Sequence, residues 1–312
     1  MSIILFQFFL GFAFLFLGAT VSLGAANRLA IHLGIPKVII AVIFMAFGTS
    51  LPEGMVSVMA ALQNSSEIAL GNVMGSNIAN TILVLGVASV IRPVVLEKKV
   101  IFAELLFTLL ATLSLALFLW NGELSKIEAG IFLGFFLIYG YSLFNRKKVP
   151  EDFHLNEEEK KAKRVLPQLI LIVLGIIALI YGARSFVEGA VALGRHFEVP
   201  EWVIGITVVA IGTSLPELAA TVIASIKNES DFIVGNVLGS NILNVFLVLG
   251  LAGMFCPLRF VNGAYLEQII CFLTLTLIPT GLFFFQGKIT RTFGVLMLAS
   301  YGVYLYFIQQ SI

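Results

Sequence analysis

The hexapeptide Gly-Thr-Ser-Leu-Pro-Glu stands at residues 48–53 and again, letter for letter, at 212–217. A longer stretch, GNVMGSNIAN at 71–80, returns as GNVLGSNILN at 235–244. Both pairs are offset by 164 residues, and the same offset carries Gly18 onto Gly182, Pro36 onto Pro200, Gly86 onto Gly250 and Pro93 onto Pro257. The chain therefore contains two related halves, each with polar and acidic residues set inside apolar segments. Polar groups are costly in hydrocarbon, so a polar cluster repeated within apolar helices points to a transport site in a membrane.

Apolar runs at Ile3–Leu23, Val100–Trp120, Ile127–Phe144, Leu166–Tyr181 and Ala264–Phe285 approach or reach the roughly 20 residues that cross a bilayer. Charged residues make up 12% of the chain, half the share of a soluble domain, and mean hydropathy is +1.02. Such a chain is an integral membrane protein. Its net charge of +1 gives no support for a nucleic-acid partner. Met1-Ser2 leads straight into apolar residues with no basic region, so the first segment reads as a retained helix. Cys256 and Cys271 match no metal spacing and read as small hydrophobes.

The pattern predicts an all-α integral membrane fold with ten transmembrane helices, over 3–31, 37–62, 67–91, 99–120, 127–144, 166–195, 201–226, 232–256, 264–286 and 290–310. The first and sixth are long enough to imply tilt. Residues 1–144 form one five-helix repeat, 166–312 the second, and 145–165 a polar linker too short for a folded domain. With the N-terminus outside, all 19 Lys and Arg except Lys126, Arg184, Arg195 and Arg259 fall on the inner side. The positive-inside rule then places both termini outside and the linker in the cytoplasm of a cell-membrane protein. Five spans is an odd number, so the second repeat enters the membrane upside down. Lys37, inside, accordingly becomes Glu201, outside, at the same repeat position.

Pro52 has no N–H and its ring crowds the carbonyl near Gly48, so the helix is expected to break there and leave carbonyls near Thr49 unpaired. Unpaired carbonyls at membrane depth require a ligand, a neighbour or a watery cavity. Thr49, Ser50 and Glu53 add two hydroxyls and a carboxylate within one turn, and Thr213, Ser214 and Glu217 repeat them. In the second motif Ser76 and Asn80 share a face at i, i+4, as do Ser240 and Asn244, while Gly71–Gly75 and Gly235–Gly239 permit close helix approach. Together these groups offer oxygen ligands without His or Cys, which suits hard cations. Two carboxylates neutralise one divalent ion. Calcium accepts six to eight oxygens in irregular geometry, magnesium demands a tight octahedron, and sodium also takes carbonyl and hydroxyl oxygens. Calcium with sodium as counter-ion is the sharpest chemical reading.

Other polar residues have plainer roles. Glu188 stands at i+4 from Arg184 and reads as a local ion pair. Glu104 and Glu267 lack an acidic repeat partner. Glu67 and Asp231 open their helices, where acid favours the positive end. His32, His154 and His196 are not placed for proton relay. Ser76, Asn80, Ser240 and Asn244 have interhelical hydrogen bonding as their alternative role.

At these motifs the chain resembles the sodium/calcium exchanger branch of the calcium/cation antiporter superfamily over essentially its whole length. The resemblance implies calcium ligation by the carboxylates of Glu53 and Glu217 and the carbonyls of Thr49 and Thr213. It implies sodium sites at Ser50, Ser76, Ser214 and Ser240 with the carbonyls of Ala46 and Ala210, and a polar ring completed by Asn80 and Asn244. Some relatives place Asp where this chain has Asn244, which weakens a potassium-cotransporting reading. It further implies that the first and sixth spans form the moving gate. The expected activity is sodium/calcium antiport by alternating access, electrogenic if more than two sodium ions bind, with no cofactor and no obligatory protein partner beyond the lipid bilayer. A proton-coupled calcium exchanger is the alternative, and an ion channel is a different class. A membrane enzyme lacks any nucleophile–base pair.

Overall fold

The computed structural model describes residues 2–95, 98–145, 165–198, 212–260 and 265–311. The linker expected at 145–165, and Ala210 with the start of the seventh expected span, lie almost wholly or wholly outside the described residues. The described chain is helical: α1 (Ser2–Leu33), α2 (Lys37–Thr49), α3 (Leu51–Leu62), α4 (Ser66–Ile91), α5 (Lys98–Phe118), α6 (Lys126–Phe144), α7 (Val165–His196), α8 (Leu215–Ile226), α9 (Ser230–Phe255), α10 (Tyr265–Gln286) and α11 (Arg291–Ser311). Among the described residues seven helices are long and apolar enough to cross a membrane, and the bent pair α2–α3 makes an eighth. Helix α8 starts at Leu215, after a break at Ser214, and has the same 12 residues as α3 after Ser50, while α11 carries Tyr301, Tyr304, Tyr306 and two glutamines among its apolar residues.

Helices α9 and α4 are the inner layer: α9 is almost wholly enclosed and α4 largely so, whereas α1 and α6 turn most of their surface outward. Exposed Phe6, Phe9, Phe12 and Phe16 on α1 fit a lipid-facing surface. Helices α1 and α7 lie antiparallel along each other. Gly11 meets Gly182 and Phe186, Gly18 meets Gly175 and Leu179, and Gly189 meets Phe8. A Cβ at Gly18 would sit 2.6 Å from the Gly175 carbonyl, so the backbones touch and only glycine fits. At 32 residues each, both helices would be about 48 Å long, well beyond a hydrocarbon core of about 30 Å.

Two small strand pairs close the ends of α5. Val94–Val95 (β1) pairs with Lys288–Ile289 (β4), and Glu123–Leu124 (β2) pairs with Leu258–Arg259 (β3), both antiparallel. The second pair is braced by Arg259 to Glu123 at 2.9 Å. Each pair joins one strand from each half. The repeat is legible in backbone detail as well: Asn64 and Asn228, 164 residues apart, both adopt positive φ, at 57° and 62°.

Candidate cation site

The α2–α3 segment bends by 48°. Ser50 N–H donates to the Ala46 carbonyl and Gly54 N–H to the Ser50 carbonyl, both at 3.0 Å, and between them Pro52 has no N–H to give the Gly48 carbonyl. Residues Ala41–Ala46 form a wide π-helical turn just before the break. Ser50 marks the break with φ −83° and ψ 3°, and Ser214 repeats it with φ −88° and ψ 7°. The proline that follows sits in the first turn of α3 and of α8, where a missing N–H costs nothing.

Glu53 and Glu217 stand in those first turns, both fully buried. They lie close enough for their like charges to repel. Ser50 Oγ donates to Glu217 Oε1 at 3.2 Å. Both carboxylate oxygens of Glu53, and Oε2 of Glu217, have no hydrogen-bond donor among the described residues. The same holds for Ser214 Oγ, Ser240 Oγ, Asn80 Oδ1 and Asn244 Oδ1. Buried polar atoms are ordinarily paired, and each orphan costs about 1–3 kcal/mol or more. So many oxygens left without donors, both carboxylate oxygens of Glu53 among them, have the chemistry to bind a cation.

The remaining expected residues are placed as follows. Ser76 is buried on α4. The Thr49 hydroxyl donates back to the Met45 carbonyl at 2.9 Å and stands 3.4 Å from the Ala46 carbonyl, which also accepts from Ser50 N–H. Thr213 is half-buried in the turn before α8. The Arg184–Glu188 pair forms at 2.8 Å, with Gln7 also reaching Glu188. Glu67 and Asp231 occupy the first turns of their helices. Cys256 and Cys271 are free thiols.

One expectation is met on one side only. Gly235 and Gly239 approach α2 so closely that an added Cβ would stand 2.6 Å from Ala41 Cβ and 3.0 Å from Ala46 Cβ. Gly71 and Gly75 have nothing within 4 Å among the described residues. The repeat-equivalent partners of α2 fall at 202–210, outside the described residues.

Sequence reasoning passed over four asparagines inside the second motif. Asn72 Nδ2 donates to the Glu53 carbonyl at 3.1 Å and to Ser57 Oγ at 2.9 Å. Asn236 Nδ2 does the same to the Glu217 carbonyl at 3.4 Å and to Thr221 Oγ1 at 3.1 Å. Each clamps the acid-bearing helix to its neighbour, 164 residues apart. Asn77 and Asn241 join α4 to α9, with Asn77 Nδ2 donating to the Asn241 carbonyl at 3.2 Å and Asn241 Nδ2 to Thr81 Oγ1 at 2.8 Å. Their recurrence in both copies of the motif was the available signal.

The family model described as sodium/calcium exchanger protein matches this chain twice, over residues 3–145 and 167–309. The chain belongs to the sodium/calcium exchanger family. This family member is 32% identical over 334 residues to the sodium/calcium exchanger MaX1 of Methanosarcina acetivorans, covering 95% of each chain. It is 36% identical over 242 residues to the inner membrane protein YrbG of Escherichia coli, about three quarters of each. Among solved structures it superposes on the sodium-calcium exchanger NCX_Mj with a TM-score of 0.80 at 31% identity, covering 97% of this chain and 98% of that one. The exchanger fold and a membrane transporter, not an enzyme, follow from these matches.

Proposed function

We propose that the protein exchanges sodium for calcium across a membrane by alternating access, with the ions held between α2, α3, α4, α8 and α9. The observation that carries this reading is the set of buried oxygens without donors around Glu53 and Glu217. Calcium is held by the two carboxylates and the carbonyls of Thr49 and Thr213. Sodium draws on Ser50, Ser76, Ser214 and Ser240 with the carbonyls of Ala46 and Ala210, and Asn80 and Asn244 complete the ring. Calcium and sodium compete for overlapping oxygens, so they exclude each other. A site without its cations keeps two like charges together in a region of low dielectric, which disfavours the futile return step. Calcium neutralises both charges, and more than two sodium ions leave net positive charge, which makes transport electrogenic.

Ten spans in two inverted repeats, 1–144 and 166–312, fit the antiparallel packing of the repeat-related helices α1 and α7. Both termini then lie outside a cell membrane and the 145–165 linker inside, as the distribution of Lys and Arg favours. Helices α1 and α7, the longest and among the least enclosed, form the moving gate. The test is radiolabelled calcium uptake into proteoliposomes loaded with sodium, choline or acidic buffer. Uptake driven only by outward sodium is the expected result, and uptake driven by protons without sodium would overturn the sodium reading.

A further inference from the structure

The side chain of Asn77 bridges two anchors in α9. Its Nδ2 donates to the Asn241 backbone carbonyl at 3.2 Å, and its Oδ1 accepts from Asn244 Nδ2 at 3.0 Å. A peptide carbonyl can only accept, so the NH2 end of Asn77 must face Asn241 and its oxygen must face Asn244. Asn244 answers that oxygen with its own nitrogen. Its Oδ1 is then the free end, buried and without a donor among the described residues. Both side chains are almost wholly enclosed, at 2% and 0% exposure, so bulk water does not compete for either end.

The mirror arrangement does not form. The repeat mate of Asn77 is Asn241, whose Nδ2 is held by Thr81 Oγ1. The Thr81 proton is already committed to the Asn77 carbonyl at 2.8 Å, so that hydroxyl can only accept. At the position equivalent to Thr81 the second half has Val245, which offers no hydroxyl. Accordingly Asn80 Oδ1 and Asn241 Oδ1 both lack partners among the described residues, where the symmetric bond would have paired Asn241 Oδ1 with Asn80. The lock acts on Asn244 alone.

We propose that Asn77 is a positioning residue for the cation site: it fixes the Asn244 amide with its oxygen presented to the transported ion and its nitrogen turned away. The proposal rests on Asn244 lining that site. An amide released from Asn77 would present its NH2 end for part of the time, and that end repels a cation. Asn77 therefore makes a neutral residue act as a dedicated acceptor.

The test is a double-mutant cycle on the full chain in detergent, with calcium and sodium binding measured by calorimetry and the unfolding midpoint recorded alongside. Asn77→Ala is expected to weaken calcium binding about tenfold in the native background and by less than about twofold when Asn244 is already alanine. Asn77→Ser replaces the alanine variant if that one does not fold. Equal weakening in both backgrounds would overturn the proposal, because Asn77 would then act independently of Asn244. An effect of Asn244→Ala with none from Asn77→Ala would also overturn it, while leaving the site reading intact. If Asn244→Ala alone changes neither calcium nor sodium binding, Asn244 is outside the site and the proposal falls with that assignment.

Discussion

Ser50 Oγ reaches Glu217 Oε1 at 3.2 Å, so the hydroxyl of the first hexapeptide is bonded to the carboxylate of the second. The two copies, 164 residues apart in sequence, meet inside the molecule as parts of one site. The reciprocal bond is not made: Ser214 Oγ and both oxygens of Glu53 have no partner among the described residues. The sequence repeat is symmetric, but the hydrogen bonding is not.

That asymmetry separates the two serines. Ser50→Ala removes a donor to a buried carboxylate and is expected to cost about 1.5–3 kcal/mol. Ser214→Ala removes no hydrogen bond among the described residues and should cost less than Ser50→Ala. Unfolding midpoints in calcium-free and sodium-free detergent would compare them, and equal losses would show that the Ser50–Glu217 bond carries no weight.

Either Glu53→Gln or Glu217→Gln leaves a divalent ion with one balancing charge. Calcium transport should fall by more than about a hundredfold in each variant. Radiolabelled uptake decides it, and robust exchange in either one defeats the assignment of both carboxylates.

Asn244→Asp puts a carboxyl opposite the oxygen of Asn77 and, in the proposed site, adds a third acid to Glu53 and Glu217. Crowded like charges take up protons more readily, so calcium transport in this variant should begin to fall at higher pH than in the native protein. A pH profile superimposable on the native one would count against Asn244 lining the site.

Gly235 and Gly134 should respond oppositely to alanine. At Gly235 the new Cβ would stand 2.6 Å from Ala41 Cβ and 2.8 Å from the Val38 carbonyl, an overpacking worth about 1–3 kcal/mol. At Gly134 nothing lies within 4 Å among the described residues, and alanine should stabilise the helix by about 0.5–1 kcal/mol. Thermal unfolding of the two variants would show shifts of opposite sign.

Glu229 ties three segments together: Lys37 at 2.8 Å, Asn27 at 3.0 Å, and the turn entering α9. The ion pair is about one-fifth exposed on each side, so solvent screens part of its strength. Glu229→Ala is expected to lower stability by about 1–2 kcal/mol, with the loss shrinking at high salt. A loss independent of salt would assign the effect to Asn27 and packing instead.

The acids and the helix break were legible in the sequence because a buried carboxylate and a proline are conspicuous in any apolar segment. The long helices followed equally from apolar length. The asparagines were harder to sort. Asn77 and Thr81 differ from Ser76 and Asn80 by one position, and α4 widens into a π-helical turn at Ala79–Val84, as α9 does at Asn244–Leu249. A face projected at 3.6 residues per turn slips in register across such a turn, so which side chains cross to the neighbouring helix cannot be read from spacing.

The crossed strand pairs bear on how the molecule is made. Val94 and Val95 leave the ribosome long before Ile289 and Lys288, the residues they pair with, and Leu124 and Glu123 wait for Leu258 and Arg259. The first half cannot finish its own ends. A nascent chain halted before residue 288 would leave Val94 and Val95 without the strand they pair with.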